Sequence, residues 1–361
     1  MYNEKIGVKV PQFLLPDKNV DLNKWSVIAC DQFTSQPEYW DKVNKLIKNN
    51  PSTLHLIYPE VYLSLNKKGK EQRINNINRT MWKYLHNKTL VLNKEAFILV
   101  DRKTKYNESR KGLIITIDLE KYDFSKGSKS LIRSTEQTVI ERIPPRLMIR
   151  KNAPLELSHT LLLIDDPDRT VIEPIFKKVA ILRPLYDFEL MMGGGHLKGY
   201  IIDKPQDIHT IFQSLERLAS PSLIKSKYDV DPKNSGIFLF AVGDGNHSLA
   251  TAKVHWENIK KDLNKEQRKD HPARFAMVEV INLYDEGLKF EPIHRVVFNV
   301  DYKKLLSKAQ AEWCKNSDQT KKNRDTQIIH FVTREGDGTI EIKNPGYYLE
   351  VASLQIFLDG F

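Results

Sequence analysis

The chain has 361 residues, room for one large or two ordinary domains. Hydrophobic residues make up 40% and charged residues 28%, which excludes disordered and collagen-like chains. Fifty-six basic against 46 acidic residues give a net charge of +10, so an anionic partner is admissible, but the lysines are spread along the chain and no nucleic-acid stripe is expected.

The N-terminus carries Asn3, Glu4 and Lys5 before a short apolar run, too little for a signal peptide, so a cytoplasmic location is expected. A strand over 27–30 leads through a polar turn into a helix over 39–48. A second helix, 71–85, places Ile74, Ile77, Met81, Trp82 and Leu85 at the spacing of one buried face. Strands are predicted at 96–101 and 112–119. The Ser-, Lys- and Gly-rich stretch 122–129 is the expected boundary between an N-terminal mixed α/β domain, 1–125, and a C-terminal α/β domain, 126–361. Strands at 161–164, 171–175 and 188–192 follow, then a Gly-rich turn at 193–195, a strand at 196–202 and a helix at 208–219. The longest apolar run, 237–242, is strand length and far short of the roughly 18–20 residues that cross a bilayer. With a helix at 249–261 it makes a strand–turn–helix unit. Further strands are read at 273–283 and 290–298, a helix at 303–314, and a hairpin of 327–334 and 339–343 turning at Gly336-Asp337-Gly338. The chain stops inside an apolar helix, 349–358, which suggests an incomplete sequence. Cys30 and Cys314 lie far apart, without Cys or His at metal-ligand spacing, and suit a reducing compartment as free thiols. The fold class is α/β or α+β, mixed sheets with flanking helices.

The sharpest chemical signal is Gly243-Asp244-Gly245-Asn246-His247-Ser248, between the 237–242 strand and its helix. Gly243 and Gly245 are suited to positive φ, and Asn246 or Ser248 is placed to cap a helix whose first amides form an anion site. Asp244 fits a Mg²⁺ ligand or a base for a hydroxyl, and His247 a donor or general acid/base. The same residues also suit a tight turn whose Asp and Asn satisfy the backbone. A second candidate, Gly193-Gly194-Gly195-His196-Leu197-Lys198, offers amides and the charges of His196 and Lys198 to phosphate oxygens, or else a hairpin loop; it is no P-loop. Third, Arg133-Ser134-Thr135-Glu136, with Arg142, Arg146 and Arg150 beyond it, offers an anion clamp with Glu136 as base. Alternatively, Ser134 and Gln137 form a capping box and the arginines a solvated face. Asp165-Asp166-Pro167-Asp168-Arg169 reads as a polar turn between strands rather than a metal site. Glu291-Pro292-Ile293-His294-Arg295 places a His–Arg pair in an apolar strand, where a structural ion pair is the default.

Segments over nearly the whole chain resemble the bacterial and archaeal family called domain of unknown function 1015. They are Asn50-Pro51-Ser52-Thr53-Leu54-His55 with Pro59-Glu60, Arg133-Ser134-Thr135-Glu136-Gln137-Thr138, the 243–248 turn and Pro292-Ile293-His294-Arg295. The turn is also similar to the Asp-Gly-His-His-Arg signature of that family, and of ParB/sulfiredoxin-like free-serine kinases. By that resemblance Asp244, Gly245 and His247 match the signature, while Asn246 and Ser248 replace its first histidine and its arginine. The resemblance then implies either that Arg133 or Arg295 clamps phosphate in place of the missing arginine, or that the chemistry differs from the signature's.

These readings converge on an enzyme of phosphoryl transfer to a small hydroxylated metabolite, an amino acid such as serine, with ATP or ADP and Mg²⁺ as cofactors. Asp244 would be base or metal ligand and His247 would stabilise the transferring group. Gly243, Gly245, Asn246, Ser248, Gly194, Gly195, His196, Lys198, Arg133, His294 and Arg295 would bind phosphate or nucleotide, and Glu136 would orient the hydroxyl. A phosphomonoester hydrolase and a ParB-like nucleotide- or nucleic-acid-binding module without catalysis are the rival readings. The expected partner is a small anionic or phosphorylated metabolite, with no membrane.

Overall fold

The computed structural model describes residues 1–289, 293–315, 326–347 and 349–361. Three short strands open the chain, β1 (Tyr2–Asn3), β2 (Val8–Lys9) and β3 (Leu14–Pro16). The one-turn helix α1 (Leu22–Trp25) is capped by Asp21, whose carboxylate accepts from the Asn23 amide. Helix α2 (Pro37–Ile47) starts on a proline, where the missing N–H costs nothing, and buries Trp40, Val43 and Ile47. Helix α3 (Lys67–His86), capped by Asn66, buries Ile77, Met81 and Tyr84, whereas Trp82 points outward. Then come β4 (Leu90–Leu92), β5 (Phe97–Lys103), β6 (Arg110–Asp118), β7 (Tyr122–Asp123), β8 (Ile132–Ser134), α4 (Ile143–Arg150), β9 (Leu161–Ile164) and α5 (Glu173–Phe176). The hairpin β10 (Arg183–Leu190) and β11 (Gly195–Ile202) precedes α6 (Pro205–Leu218), α7 (Pro221–Tyr228) and α8 (Pro232–Ser235). Next are β12 (Phe240–Asp244), α9 (Asn246–Ile259), α10 (Lys265–Lys269) and β13 (Phe275–Asn282).

Among the described residues eleven strands form one sheet, ordered β10-β11-β5-β6-β13-β9-β12-β8-β7, with β2 beside β6 and β1 beside β2. Strand β12 runs parallel to β8 and antiparallel to β9, and β13 runs parallel to β9. This arrangement decides what can meet. The C-terminal ends of β8 and β12 and the entry to β9 open on one edge, so the segments after Ser134 and Asp244 and before Leu161 converge there. Helix α9 leaves that edge and buries Leu249, Ala252 and Trp256 in the core that includes Val242, Phe240, Ile132 and Leu119. At about 25 cal/mol per Å² of apolar surface, this burial holds the helix far more firmly than helix propensity does.

Two compact units are resolved, Met1–Leu288 and Lys289–Phe361. The stretch 122–129 lies inside the first, where β7 pairs with β8 in the main sheet. The second unit comprises α11 (Tyr302–Lys315), the hairpin β14 (Gln327–Thr333) and β15 (Gly336–Ile342), and α12 (Glu350–Asp359). Its own core contains Leu305, Ala309, Trp313, Ile329, Ile340 and Phe357.

Several local expectations are corrected. Residues 27–30 form no ladder; Val27 donates instead to the Thr53 hydroxyl, and Val27 and Ile28 pack beside Trp40. Residues 171–175 are not a strand, because Pro174 sits in the first turn of α5 and tertiary packing overrides β-branched propensity. No capping box forms at Ser134, which ends β8 and pairs with the Tyr122 hydroxyl. The 327–342 hairpin turns at Arg334 and Glu335, with Gly336 already in β15. The 290–298 strand does not form over 293–298, whose residues are exposed; Phe290, Glu291 and Pro292 lie outside the described residues.

Candidate functional site

The turn after β12 is built by one glycine conformation and one bulge. Gly245 takes φ +78° and occupies the N-cap of α9, in place of the expected Asn246 or Ser248. Gly243 stays in β12 with no positive φ; the register against β9 shifts between Val242 and Asp244, so it marks a β-bulge that re-aims Asp244. Asp244 is exposed, with Oδ1 accepting from the Gly245 amide at 2.7 Å. No side chain caps α9, so the first amides of this 14-residue helix form an anion-attracting terminus.

Three groups of the sequence-predicted site meet here. The Asn246 amide Nδ2 donates to Glu136 Oε1 at 3.1 Å, and the Thr135 hydroxyl donates to the Val242 carbonyl, tying the end of β8 to the turn. His247 Nε2 accepts from the Val139 amide at 3.1 Å. Burial lowers the His247 pKa and the charges of Arg142 and Arg146 lower it further, against Glu136 and Glu60. The ring is therefore neutral near pH 7, with its proton on Nδ1 as a hydrogen-bond donor. Asn246 Oδ1 and Thr138 Oγ1 are buried and have no hydrogen-bond partner among the described residues, an expense that folded proteins rarely leave unused.

Four further residues join this edge: Arg146, read in the sequence as part of an anion clamp, Glu60, from a segment that carries the resemblance, and His159 and Asp31, which sequence reasoning did not single out. Arg146, on α4, donates to Glu60, and His159 Nε2 lies 3.4 Å from Asp31 Oδ2. Burial opposes protonation of His159, but the Asp31 hydrogen bond and the charges of Asp31, Asp244 and Glu60 outweigh it and raise its pKa. Asp31 is held below the usual carboxylate range, chiefly by its hydrogen bond to His159. The sign follows: the His159 contribution is complete below the unfolded histidine value near 6.5 and is lost as pH rises through the higher folded value. Chemical denaturation across pH 5.5–8.5 is expected to show this loss in the native protein, and Asp31→Asn to abolish it while destabilising by about 1–2 kcal/mol at the acid end. An unchanged pH slope in Asp31→Asn would dismiss the pair.

Beside the turn lies a cavity of about 140 Å³. Glu60, Arg146, His159 and Ser248 supply its polar lining, and Leu155 and Ile149 part of its apolar wall. Cys30 also lines it, but burial pushes its thiol up to about 12, with Asp31 and Glu60 adding to the effect, so it is not a thiolate nucleophile.

Other expected site residues lie elsewhere or are already engaged. Arg133 is engaged with the backbone: Nε donates to the Ser130 carbonyl and Nη2 to those of Ser235 and Ile237, with Phe238 under the guanidinium. Gly194, Gly195, His196 and Lys198 sit on the β10–β11 hairpin, five strand steps from β12, or about 24 Å at ordinary strand spacing. His196 pairs with Asp187 and Glu189, and Lys198 with Asp187. A Cβ on Gly195 would lie 2.0 Å from the Lys103 carbonyl oxygen, so strand packing explains that glycine. His294 and Arg295 belong to the second unit and are exposed rather than buried in a strand; Arg295 Nε donates to Gln355 Oε1 at 2.7 Å. The Asp165–Arg169 stretch is a polar turn: buried Asp166 accepts from the amides of Thr170 and Val171. Among the described residues no group of three or more His, Cys, Asp or Glu converges as a metal cage.

A family model described as a protein of unknown function (DUF1015) matches residues 14–359, spanning both units. The chain belongs to the DUF1015 family. No curated protein and no solved structure matches it. Within this DUF1015 chain, the Glu60, Glu136, Thr138 and 243–248 segments that carried the resemblance are the ones that line or adjoin the turn, whereas the described part of the fourth segment, Ile293-His294-Arg295, belongs to the second unit. No described helix is long and apolar enough to cross a membrane.

Proposed function

We propose that this chain transfers a phosphoryl group between ATP or ADP and the hydroxyl of a small metabolite, of which a hydroxy-amino acid such as serine is the favoured class. The observation that carries this reading is the uncapped N-terminus of α9 beside a neutral His247 that feels the charges of Arg142, at the start of α4, and Arg146 within it. Phosphoryl transfer asks little covalent chemistry of a protein and much positioning of donors around three equatorial oxygens. The α9 amides and His247 Nδ1–H supply neutral donors. Arg142, which makes no ion pair with a described residue, takes the clamping task that the sequence reading gave to Arg133 or Arg295.

Glu136, placed by Asn246, orients the hydroxyl nucleophile. As its oxygen bonds to phosphorus and the bridging P–O bond of the donor breaks, the hydroxyl proton passes to the Asp244 carboxylate. Asp244 also suits Mg²⁺, which is commonly held by one or two carboxylates together with phosphate oxygens and water; the ion would offset charge on the transferring group.

The test is ³¹P NMR of the full-length protein with Mg²⁺ and ATP or ADP, against a panel of hydroxy-amino acids and their phosphates. A new phosphomonoester signal is expected, reduced at least about 100-fold in Asp244→Asn. Released inorganic phosphate without an acceptor would replace transfer with hydrolysis. Silence throughout, with salt-sensitive DNA or RNA binding that Asp244→Asn retains, would overturn the enzyme reading in favour of a binding module.

A further inference from the structure

Helices α2 and α3 line a cavity of about 270 Å³ that includes none of the turn residues. Helix α2 contributes Trp40, Asp41 and Asn44, and α3 contributes Arg73 and Asn76, three positions apart on one face.

Arg73 is the anomaly. Its guanidinium lies 3.8 Å over the Tyr62 ring, its Nε is buried without a partner, and it makes no ion pair or hydrogen bond with any described residue. Other half-buried arginines in this unit use their guanidinium in hydrogen bonds: Arg110, Arg146, Arg150 and Arg274 each hold a carboxylate, and Arg102, Arg133 and Arg268 donate to backbone carbonyls. A guanidinium stacked on an aromatic ring keeps its outer N–H groups in a fixed fork, the geometry that takes a carboxylate in a bidentate grip. Asp41 lines the same cavity and likewise has no ion pair among the described residues. The two opposite charges thus share one cavity without satisfying each other, and Trp40, Leu54 and Ile57 give it an apolar side.

We propose that this cavity binds a free α-amino acid, with its carboxylate on Arg73 and its ammonium at Asp41. Asn44 and Asn76 offer the remaining hydrogen bonds, and the amino-acid side chain rests on the apolar wall. The site stands independently of the phosphoryl-transfer reading, since no residue of the turn takes part.

Isothermal titration calorimetry on the full chain tests it with a panel of free amino acids, each paired with its decarboxylated amine and its deaminated acid. At least one amino acid is expected to bind, with both truncated analogues about 10-fold weaker or worse, since each leaves a charged hydrogen bond unmade. Arg73→Gln is expected to lose about 10-fold or more, and Asp41→Asn to erase the preference for the amino acid over its deaminated acid. Far-UV circular dichroism checks each fold. Should Arg73→Gln unfold, exposed Asp41, which has no hydrogen-bond or ion-pair partner among the described residues, still decides the matter. No binding by any amino acid, or an Asp41→Asn variant that keeps the native preference for the amino acid over its deaminated acid, would each overturn the proposal.

Discussion

Arg274→Met is expected to destabilise the first unit by about 3–5 kcal/mol, because it strands a buried carboxylate. Asp118, at the end of β6, is fully buried. Arg274 grips it twice, Nε to Oδ1 at 2.9 Å and Nη2 to Oδ2 at 2.6 Å, and the Tyr2 hydroxyl and the Glu120 amide complete its shell. Burial alone would raise the Asp118 pKa, but these donors and the arginine charge outweigh it and lower it. Asp118 therefore contributes stability that is present above the unfolded carboxylate value and is lost as pH falls through the lower folded value. In Arg274→Met the carboxylate faces burial without its cation, so the deficit should be largest near neutrality and shrink as acid protonates Asp118. Urea denaturation at pH 7 and pH 4 measures both; a loss under about 1 kcal/mol at pH 7, or a deficit that widens in acid, would refute the account. The effect reaches the site. Directly after Asp118, the Leu119 carbonyl accepts from Lys253 and the Glu120 carboxylate from the Trp256 indole, which anchors α9 to the sheet.

Gly245→Ala is expected to cost about 2–4 kcal/mol and to abolish whatever chemistry the turn performs. At φ +78° an L-residue pays for the left-handed region, and the added Cβ would lie 2.9 Å from Thr160 Oγ1 and 3.0 Å from the Thr160 Cα. The latter is backbone entering β9 and has little freedom to yield. Relief must come from moving the turn, which displaces the α9 terminus, Asp244 and His247 together. Gly243→Ala is the matched control. Its Cβ would lie 2.9 Å from Leu163 Cγ, a side chain free to rotate, and it carries no positive φ, so the cost should be about 1 kcal/mol. Urea midpoints rank the two variants, and equal losses would show that the Gly245 conformation is not what shapes the turn.

Local structure was legible wherever a segment's own pattern settled it. The 161–164 strand is found as read, and the 39–48, 71–85 and 208–219 helices within a few residues, since apolar spacing and flanking prolines or caps act over one or two turns of chain. Where neighbours decide, the reading failed. Residues 27–30 have strand composition but no strand beside them, and 171–175 have β-branched residues but a proline placed to start a helical turn. The glycines at 193–195 look like a ligand cradle in sequence, yet Gly195 is explained by the Lys103 carbonyl pressed against it from β5, a contact between residues far apart in the chain.

The site divides the same way. Sequence by itself determined that a strand, a glycine turn and a helix would present Asp244, Asn246 and His247 together, because all lie within four residues, and that Glu136 belonged to a related segment. Only the tertiary structure decided that the parallel pairing of β8 with β12 brings Glu136 to Asn246, and that the antiparallel entry of β9 brings His159 to the same edge. It also decided that Glu60, Arg146 and Asp31 join them, and that Arg133 spends its donors on backbone carbonyls. Strand direction and order are set by burying the whole apolar set at once, a non-local sum that no short stretch of residues records.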